Sequence, residues 1–279
     1  MTGQPISQLR ERKPGGARGR DPVYSRRMSF AVAADAYDRF MGRYSGPLTR
    51  RFADFAGVAP GQIVLDVGCG PGALTAELIA RLGPAAVAAV DPSESFVAAA
   101  RERHPGADVR GASAERLPFE EGGFDACLAQ LVVHFMADPV GGLREMARVT
   151  RPGGVVAACV WDHAGEAGPL SAFWAVARSL DPGVEGESVL PGSRRGHLTE
   201  LLSQAGLRDV EETPLTVEVV HPGFDEWWEP YTLGVGPAGG YVAGLGAEGR
   251  DRLREACRAA LPAAPFTVSG RAWAARGRN

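Results

Sequence analysis

The segment Asp66-Val67-Gly68-Cys69-Gly70-Pro71-Gly72 constrains the fold of this chain more than any other. It follows an apolar run at residues 63–67 and precedes a stretch with helical spacing, residues 73–82, whose leucines share one face. Glycines at alternate positions permit a tight turn and let a ligand approach the backbone amides at the start of a helix. The segment therefore predicts a strand-loop-helix unit with a ligand-binding loop.

Short apolar strands alternate with helical patterns over the next hundred residues. Strands are predicted at residues 63–67, 87–90, 108–111, 124–129 and 155–161, with helices at 73–82, around Phe96 to Ala100 and from Pro139 to Ala147. A turn is expected at Arg151-Pro152-Gly153-Gly154. Apolar strands that alternate with helices form a parallel sheet covered on both faces. The predicted fold class is therefore α/β, with a doubly wound sheet.

The regions on either side of this alternation have their own patterns. Before it, the spacing of Tyr37, Phe40 and Met41, and then of Leu48, Phe52 and Phe55, predicts two short helices. After it, a helix that ends at Gly206 precedes late strands at residues 215–220 and 266–274. Residues 163–195 and 221–262 are interpreted as insertions that roof the carboxyl edge of the sheet.

Two interpretations of the glycine segment compete. As Gly68-x-Gly70-x-x-Ala73 it satisfies the fingerprint of dinucleotide-binding folds, which is a weak signal by itself. As Asp66-x-Gly68-x-Gly70-x-Gly72 it resembles motif I of the class I methyltransferases that use S-adenosylmethionine. Asp91, at the end of the second strand, suits either cofactor, because a carboxylate there can accept both ribose hydroxyls.

Three later segments favour the methyltransferase resemblance. Residues 113–119, Ser-Ala-Glu-Arg-Leu-Pro-Phe, resemble the family's D-A-E-x-L-P-F segment, with Ser113 in place of the usual Asp. Residues 124–130 resemble the fourth-strand motif, and residues 151–154 resemble the turn before the fifth strand. The resemblance covers residues 37–161 and is to small-molecule enzymes such as methyltransferase type 11 and the ubiquinone/menaquinone-biosynthesis methyltransferases. It implies a Rossmann-like seven-stranded sheet whose last strand is antiparallel.

The resemblance implies a set of residues that bind S-adenosylmethionine. Asp66 would lie near the methionine ammonium, Asp91 at the ribose and Phe96 against the adenine. Arg43 is the upstream candidate for the methionine carboxylate, because a guanidinium can bind a carboxylate through two hydrogen bonds. The complete predicted cofactor set is Arg43, Asp66, Gly68, Gly70, Gly72, Asp91, Phe96, Ser113, Ala114, Glu115 and Gln130.

Candidate catalytic and acceptor-binding residues follow from the same placement. Methyl transfer from a sulfonium is an in-line displacement, which needs alignment, exclusion of water and, for some acceptors, removal of a proton. His134, after the fourth strand, is the leading candidate for the base, and His163, after the fifth, is the second. An acceptor pocket is predicted from five aromatic residues: Tyr37, Trp161, Trp174, Trp228 and Tyr231.

Composition limits the classes of partner. The formal charge of −3 combines a basic segment, residues 1–27, with seven basic and two acidic residues, and a body with 23 basic and 31 acidic residues. An acidic body disfavours nucleic acid as a partner. No apolar run approaches the roughly 20 residues of a membrane helix. The four cysteines include no CxxC pair, so we expect free thiols, no metal site and a cytoplasmic location.

The sequence thus predicts a methyltransferase that acts on a small, apolar or aromatic molecule. Residues 1–27 are expected to be a disordered extension and residues 28–279 one catalytic domain. The enzyme alternative is an NAD-dependent oxidoreductase, and the non-enzyme alternative is a non-catalytic protein that retains the fold. Deletion of residues 1–27 is expected to leave methyl transfer intact.

Overall fold

The computed structural model describes residues 34–279. The predicted basic extension and the first six residues of the predicted domain lie outside this range. The seven strands are β1 Val64–Val67, β2 Val87–Asp91, β3 Asp108–Gly111, β4 Phe124–Gln130, β5 Thr150–Trp161, β6 Arg208–His221 and β7 Phe266–Arg278.

These strands form one mixed sheet in the order β3-β2-β1-β4-β5-β7-β6. Strands β1 to β5 are parallel, whereas β7 pairs antiparallel with both β5 and β6. The chain reverses its direction of winding between β1 and β4, and ligands of open α/β sheets bind outside the carboxyl ends of the strands at such a point. The predicted doubly wound seven-stranded sheet with an antiparallel last strand is confirmed.

Helices cover both faces of the sheet and its carboxyl edge. They are α1 Ala34–Tyr37, α2 Arg43–Ala56, α3 Ala73–Leu82, α4 Glu94–Arg103, α5 Pro139–Val149, α6 Ser171–Leu180, α7 His197–Gln204, α8 Phe224–Trp228, α9 Gly236–Gly244 and α10 Ala247–Ala260. Short 3₁₀ turns occur at Pro84–Ala86, Val133–Phe135 and Glu229–Leu233. Within residues 34–279, every helix is too short or too polar to cross a bilayer.

Local sequence explains where several of these helices begin and end. Helix α5 begins after Asp138, whose side chain accepts a hydrogen bond from the Gly141 amide, and Pro139 occupies its first position. Helix α2 ends at Gly57, which has a φ of 74°. Glycine is favoured at this left-handed position because it has no Cβ. Capping therefore sets these boundaries locally.

The core consists of two large apolar layers, one on each face of the sheet. One layer contains Leu48 and Phe52 of α2 and Leu74 and Leu78 of α3. It also contains aromatic residues from the segments that follow β5 and β6, which we call the roof. The other contains Leu143 and Met146 of α5 together with the leucines of α7. Strands β1 and β2 are buried along their whole length, as expected for strands covered on both faces.

Three local predictions differ from the structure. The late strand expected at residues 215–220 begins at Arg208, because β6 pairs with β7 over most of its length. The expected turn at residues 151–154 belongs to β5, because Gly153 and Gly154 form backbone hydrogen bonds with Asn279, which follows β7. The two expected N-terminal helices are α1 and α2, and the π-helical turn Asp38–Gly42 joins them without a break. Pairing with a distant strand explains the first two differences. The local sequence of residues 151–154 and of Asp38–Gly42 does not distinguish either segment from an ordinary turn.

Candidate functional site

The glycine loop between β1 and α3 lies against β2 and against the residues that follow β4. The amides of Gly68 and Cys69 both donate to the carbonyl of Val90, at 2.7 and 2.9 Å. Gly68 has a φ of 72°, and a Cβ on it would lie 2.4 Å from Cγ2 of Val132. Both the backbone conformation and the contact therefore require glycine at position 68.

Gly68→Ala is expected to lower the free energy of unfolding by about 2–4 kcal/mol. The new methyl group would strain the left-handed backbone and also collide with Val132, and the two costs add. Gly61 is the matched control: its φ is 87°, but a Cβ there would have nothing within 4 Å. Gly61→Ala should therefore cost about 1–2 kcal/mol, from backbone strain alone. Urea unfolding of both variants measures the difference. Equal losses would show that Val132 does not restrict position 68.

Asp91 joins the end of β2 to the glycine loop. Its Oδ2 accepts a hydrogen bond from the Gly70 amide at 2.9 Å, and its Oδ1 accepts one from the Ser93 amide at 2.8 Å. Burial raises the pKa of Asp91, and the two amide donors oppose that shift. Each carboxylate oxygen keeps a second lone pair, so the side chain can accept two further hydrogen bonds from a ligand.

A cavity of about 300 Å³ lies outside the carboxyl ends of β1 to β4. Eight of the eleven predicted cofactor residues line it: Gly68, Gly70, Asp91, Phe96, Ser113, Ala114, Glu115 and Gln130. A wider, more open groove of about 670 Å³ adjoins it at Ser113. The smaller cavity is the better candidate site, because it is more enclosed and contains both the glycine loop and Asp91.

Tyr37 and Phe96 form an aromatic wall of this cavity. Their rings meet edge to face, with centroids 5.4 Å apart. Burial, reinforced by the charge of Asp91, raises the pKa of Tyr37, so its phenol is neutral at physiological pH. The sequence predicted Tyr37 at the acceptor, whereas the structure brings it together with the predicted cofactor residues.

Glu115 and Gln130 use part of their hydrogen-bonding capacity within the protein. Glu115 Oε1 accepts from the amide of Ala137 at 2.9 Å. Gln130 donates through Nε2 to the carbonyl of Ser45 at 3.2 Å, and its buried Oε1 has no partner among the described residues. Gln130 therefore keeps an unused acceptor atom among the described residues, whereas Glu115 holds the backbone after β4.

Three predicted cofactor residues are not on the cavity wall. Gly72 lies behind the loop, against His104. Asp66 is buried and accepts a hydrogen bond from the Thr75 hydroxyl at 2.7 Å, while burial raises its pKa to about 7. The Arg43 guanidinium pairs with Glu226 at 2.5 Å. The roles predicted for these three residues remain predictions.

A polar chain, buried at Tyr44 and His221 and exposed at Glu226, connects α2 to α8. The Tyr44 hydroxyl lies 2.9 Å from Nε2 of His221, and Nδ1 of His221 lies 2.7 Å from Glu226 Oε2. Arg43 reaches the other oxygen of Glu226, so one carboxylate holds both a guanidinium and an imidazole. These contacts explain why Arg43 points toward α8 rather than into the cavity.

His134 and His163 are buried side by side. The centroids of their rings are 6.1 Å apart, and the rings are arranged edge to face. His134 Nδ1 and His163 Nε2 have no hydrogen-bond partner among the described residues. Burial, with a smaller contribution from His163, lowers the pKa of His134 well below 6.5. Burial also lowers the pKa of His163, against the opposing charges of Glu187 and Asp162.

The other four predicted acceptor residues are packed in the apolar core and do not line the cavity. Trp161 is 2% exposed and directs its indole N–H at Met41 Sδ, 3.3 Å away. Trp174 donates to Glu187 at 2.8 Å. Tyr231 stacks on Phe173 with centroids 4.5 Å apart, and Trp228 stacks on Tyr231. Their predicted contact with an acceptor remains a prediction.

Five residues that follow β4 line the cavity and were not predicted from the sequence. They are Leu131, Val132, Phe135, Met136 and Ala137. Leu131 has a φ of 61°, an uncommon left-handed conformation for a residue with a side chain. These residues follow β4, which pairs in parallel with β1. Because neighbouring parallel strands end at the same edge of a sheet, this position could have predicted that they lie near the glycine loop.

Comparisons with known proteins identify the family. A family model described as a methyltransferase domain matches residues 65–158. The chain is 34% identical over 187 residues to the demethylmenaquinone methyltransferase of Mycobacterium marinum, covering 60% of this chain and 77% of the relative. It is 35% identical over 130 residues to the malonyl-[acyl-carrier protein] O-methyltransferase of Erwinia billingiae, covering 46% and 50%. The chain spans half or less of the length of several such relatives.

Solved structures share the fold at low sequence identity. Phosphoethanolamine N-methyltransferase 2 of Haemonchus contortus, in complex with phosphomonomethylethanolamine and S-adenosylhomocysteine, aligns with a TM-score of 0.55 and 18% identity, covering 88% of this chain and 56% of that chain. The YcgJ protein of Bacillus subtilis aligns with a TM-score of 0.53 and 17% identity, covering 83% and 97%. The chain belongs to the class I S-adenosylmethionine-dependent methyltransferase family.

Proposed function

We propose that this protein transfers the methyl group of S-adenosylmethionine to a small, apolar or aromatic acceptor. The observation that carries the proposal is the Asp91 carboxylate, which is hydrogen-bonded to the Gly70 amide at the rim of the cavity. A carboxylate fixed beside a glycine loop suits a nucleoside with two ribose hydroxyls.

The cavity residues fit this cofactor. A Cβ on Gly70, which lines the cavity, would have nothing within 4 Å, so a ligand can approach the backbone there. Phe96 and Tyr37 supply aromatic surface for a base, and Gln130 supplies a buried acceptor atom, Oε1, that has no partner within residues 34–279. When bound, S-adenosylmethionine supplies a methyl group activated by a sulfonium. The chain's own task is to hold the cofactor and the acceptor in line and to exclude water.

The sheet supports this cofactor over NAD. The common dinucleotide-binding sheet has the order 3-2-1-4-5-6. Here β7 is inserted antiparallel between β5 and β6. This is the arrangement that the methyltransferase resemblance implied, and it argues against the alternative of an NAD-dependent oxidoreductase.

The proposed acceptor class rests on the roof of this chain. The relatives are named for different acceptors, demethylmenaquinone and a malonyl-acyl carrier protein, so their names favour no single class. The segments that follow β5 and β6 are rich in packed aromatic rings, including Phe173, Trp228 and Tyr231. His134 and His163, whose pKa values are lowered by burial, are neutral at physiological pH. Apolar surface and neutral hydrogen-bonding groups favour an uncharged acceptor.

The two histidines are also the proposed proton acceptors. A neutral imidazole nitrogen without a protein partner can accept the proton that the acceptor loses on methylation. Within the part of the chain that the structure describes, His134 Nδ1 and His163 Nε2 are such atoms. Neither histidine lines the cavity itself, but His134 packs against Phe135, which does, and His163 lies beside His134.

Calorimetry of the full-length protein with S-adenosylmethionine, S-adenosylhomocysteine and NAD tests the cofactor. We expect saturable binding of the first two and none of NAD. Binding of NAD alone would overturn the proposal. Formation of S-adenosylhomocysteine with a panel of small phenols, measured against matched carboxylates and amines, then tests the acceptor class. Turnover confined to charged acceptors would contradict an apolar or aromatic one.

A further inference from the structure

The end of α4 contacts the back of the glycine loop through two consecutive residues. Arg103 NH1 donates to the carbonyl of Pro71 at 3.3 Å, and His104 Nε2 lies 3.0 Å from the carbonyl of Gly72. A carbonyl only accepts, so the His104 nitrogen carries the proton and donates. Two neighbouring carbonyls of the loop are thus held by two neighbouring side chains.

These contacts fix the orientation of the loop's peptide groups. In a trans peptide the N–H points away from the carbonyl, so a held carbonyl directs the following amide to the opposite side. The carbonyl of Gly72 also accepts from the Ala76 amide at 2.9 Å, within the first turn of α3. His104 therefore supports the peptide at which the loop becomes a helix.

The space behind Gly72 is filled by His104. A Cβ on Gly72 would lie 2.4 Å from His104 Nε2, and Gly72 has a φ of 100°. The pKa of His104 is lowered, mainly by burial, so the imidazole is neutral at pH 7 with its proton on Nε2. The close fit means that the imidazole sets the position of this part of the loop.

Arg103 also contacts the N-terminal segment that closes the cavity. We call residues Ala34–Gly42 the cover segment, because it contains Tyr37, a residue of the cavity wall. The Arg103 guanidinium lies 2.7 Å from Asp38 and 3.5 Å from Asp35. One side chain thus connects the cover segment to a carbonyl of the glycine loop.

We propose that Arg103 and His104 are positioning residues for the cofactor. His104 holds the glycine loop in its binding conformation, and Arg103 couples that loop to the cover segment. The inference rests on the proposed function, because it assigns the adjoining cavity to S-adenosylmethionine. Neither residue lines the cavity, so each acts through the loop or through Tyr37.

Two substitutions of His104 test the first part. His104→Leu removes the donor, whereas the side-chain amide of His104→Gln keeps one. We expect His104→Leu to raise the Kd of S-adenosylhomocysteine about 10-fold, which corresponds to one lost hydrogen bond. His104→Gln should restore the affinity to within about 3-fold of wild type. Calorimetry measures the Kd, and urea unfolding of the apo-proteins separates folding from binding.

The outcomes distinguish this inference from the proposed function. A wild-type protein that binds no S-adenosylhomocysteine overturns the proposed function, and the inference with it. A wild-type protein that binds, with His104→Leu equally tight, overturns the inference alone. Lower stability of His104→Leu with an unchanged Kd also overturns the inference alone, because the contact would then be merely structural.

Asp38 and Asp35 provide a matched pair for the second part. Asp38→Asn weakens the short ion pair with Arg103, whereas the carboxylate of Asp35 is 90% exposed and more distant. We expect Asp38→Asn to increase the dissociation rate of S-adenosylhomocysteine about 3-fold, the scale of a partly exposed ion pair. Asp35→Asn should leave it unchanged. Equal rates in both variants and wild type, by stopped-flow displacement, would overturn the coupling.

Discussion

Asp91→Ala is expected to weaken the binding of S-adenosylmethionine by about 1–3 kcal/mol, which corresponds to roughly a 5- to 150-fold higher Kd. The carboxylate offers charge-assisted acceptors for the ribose hydroxyls. It also holds the Gly70 amide at 2.9 Å and the Ser93 amide at 2.8 Å, so its removal loosens the loop around the ligand. Titration calorimetry at fixed pH and salt measures this change.

Two variants separate these contributions. Asp91→Asn keeps one acceptor oxygen and the size of the side chain, so its Kd should lie between those of wild type and Asp91→Ala. Asp108→Ala, at the other end of the neighbouring β3, removes an exposed carboxylate that pairs with Arg110 and should leave the Kd unchanged. An unaltered affinity in Asp91→Ala would reject the ribose assignment.

Replacing both His134 and His163 with glutamine is expected to lower kcat by about 100- to 10,000-fold, the usual contribution of a general base. Glutamine keeps hydrogen-bonding capacity without a titratable nitrogen. The two single variants show which imidazole takes the proton, since only the loss of that one should approach the double variant. The measurement uses an acceptor that the wild-type protein methylates and follows S-adenosylhomocysteine.

The pH profile supplies an independent readout. The base acts in its neutral form, and burial lowers the pKa of both histidines from 6.5. The rate should therefore remain level as the pH falls to 6.5 and decline only below it. His197, the first residue of α7, is the control, and His197→Gln should keep both rate and profile. A single variant with unchanged turnover and profile excludes that histidine as the base.

Much of the fold was predictable because its signals are local. Each signal affects only the residues near it in the chain. These signals are the glycine segment, the alternation of strands and helices and the glycine after α7. Helix α3 and strand β3 accordingly have the predicted bounds, residues 73–82 and 108–111. The segment at 151–154 differed because its partner, Asn279, lies more than a hundred residues away. No local pattern of proline and glycine contains that information.

The residues of the candidate site also differ in whether local sequence patterns could predict their positions. Gly68 follows β1 and Asp91 ends β2. The ends of both strands could be predicted from the sequence, so both residues were predicted at the cavity that they line. The direction of the Arg43 side chain could not be predicted from the sequence, because it depends on Glu226, which is distant along the chain. His104 carried no sequence signal either, since its role depends on contact with Gly72 across the fold.

The sequence by itself determined the order of the strands along the chain, the loop that must be glycine and the family to which these motifs belong. Only the tertiary structure decided which side chains meet in the cavity, which turn to the roof and which support the loop from behind. The physical reason is distance along the chain. Backbone preferences and hydrophobic periodicity act over a few residues, whereas Asp91 with Gly70, Arg43 with Glu226 and His104 with Gly72 meet only after the sheet has formed.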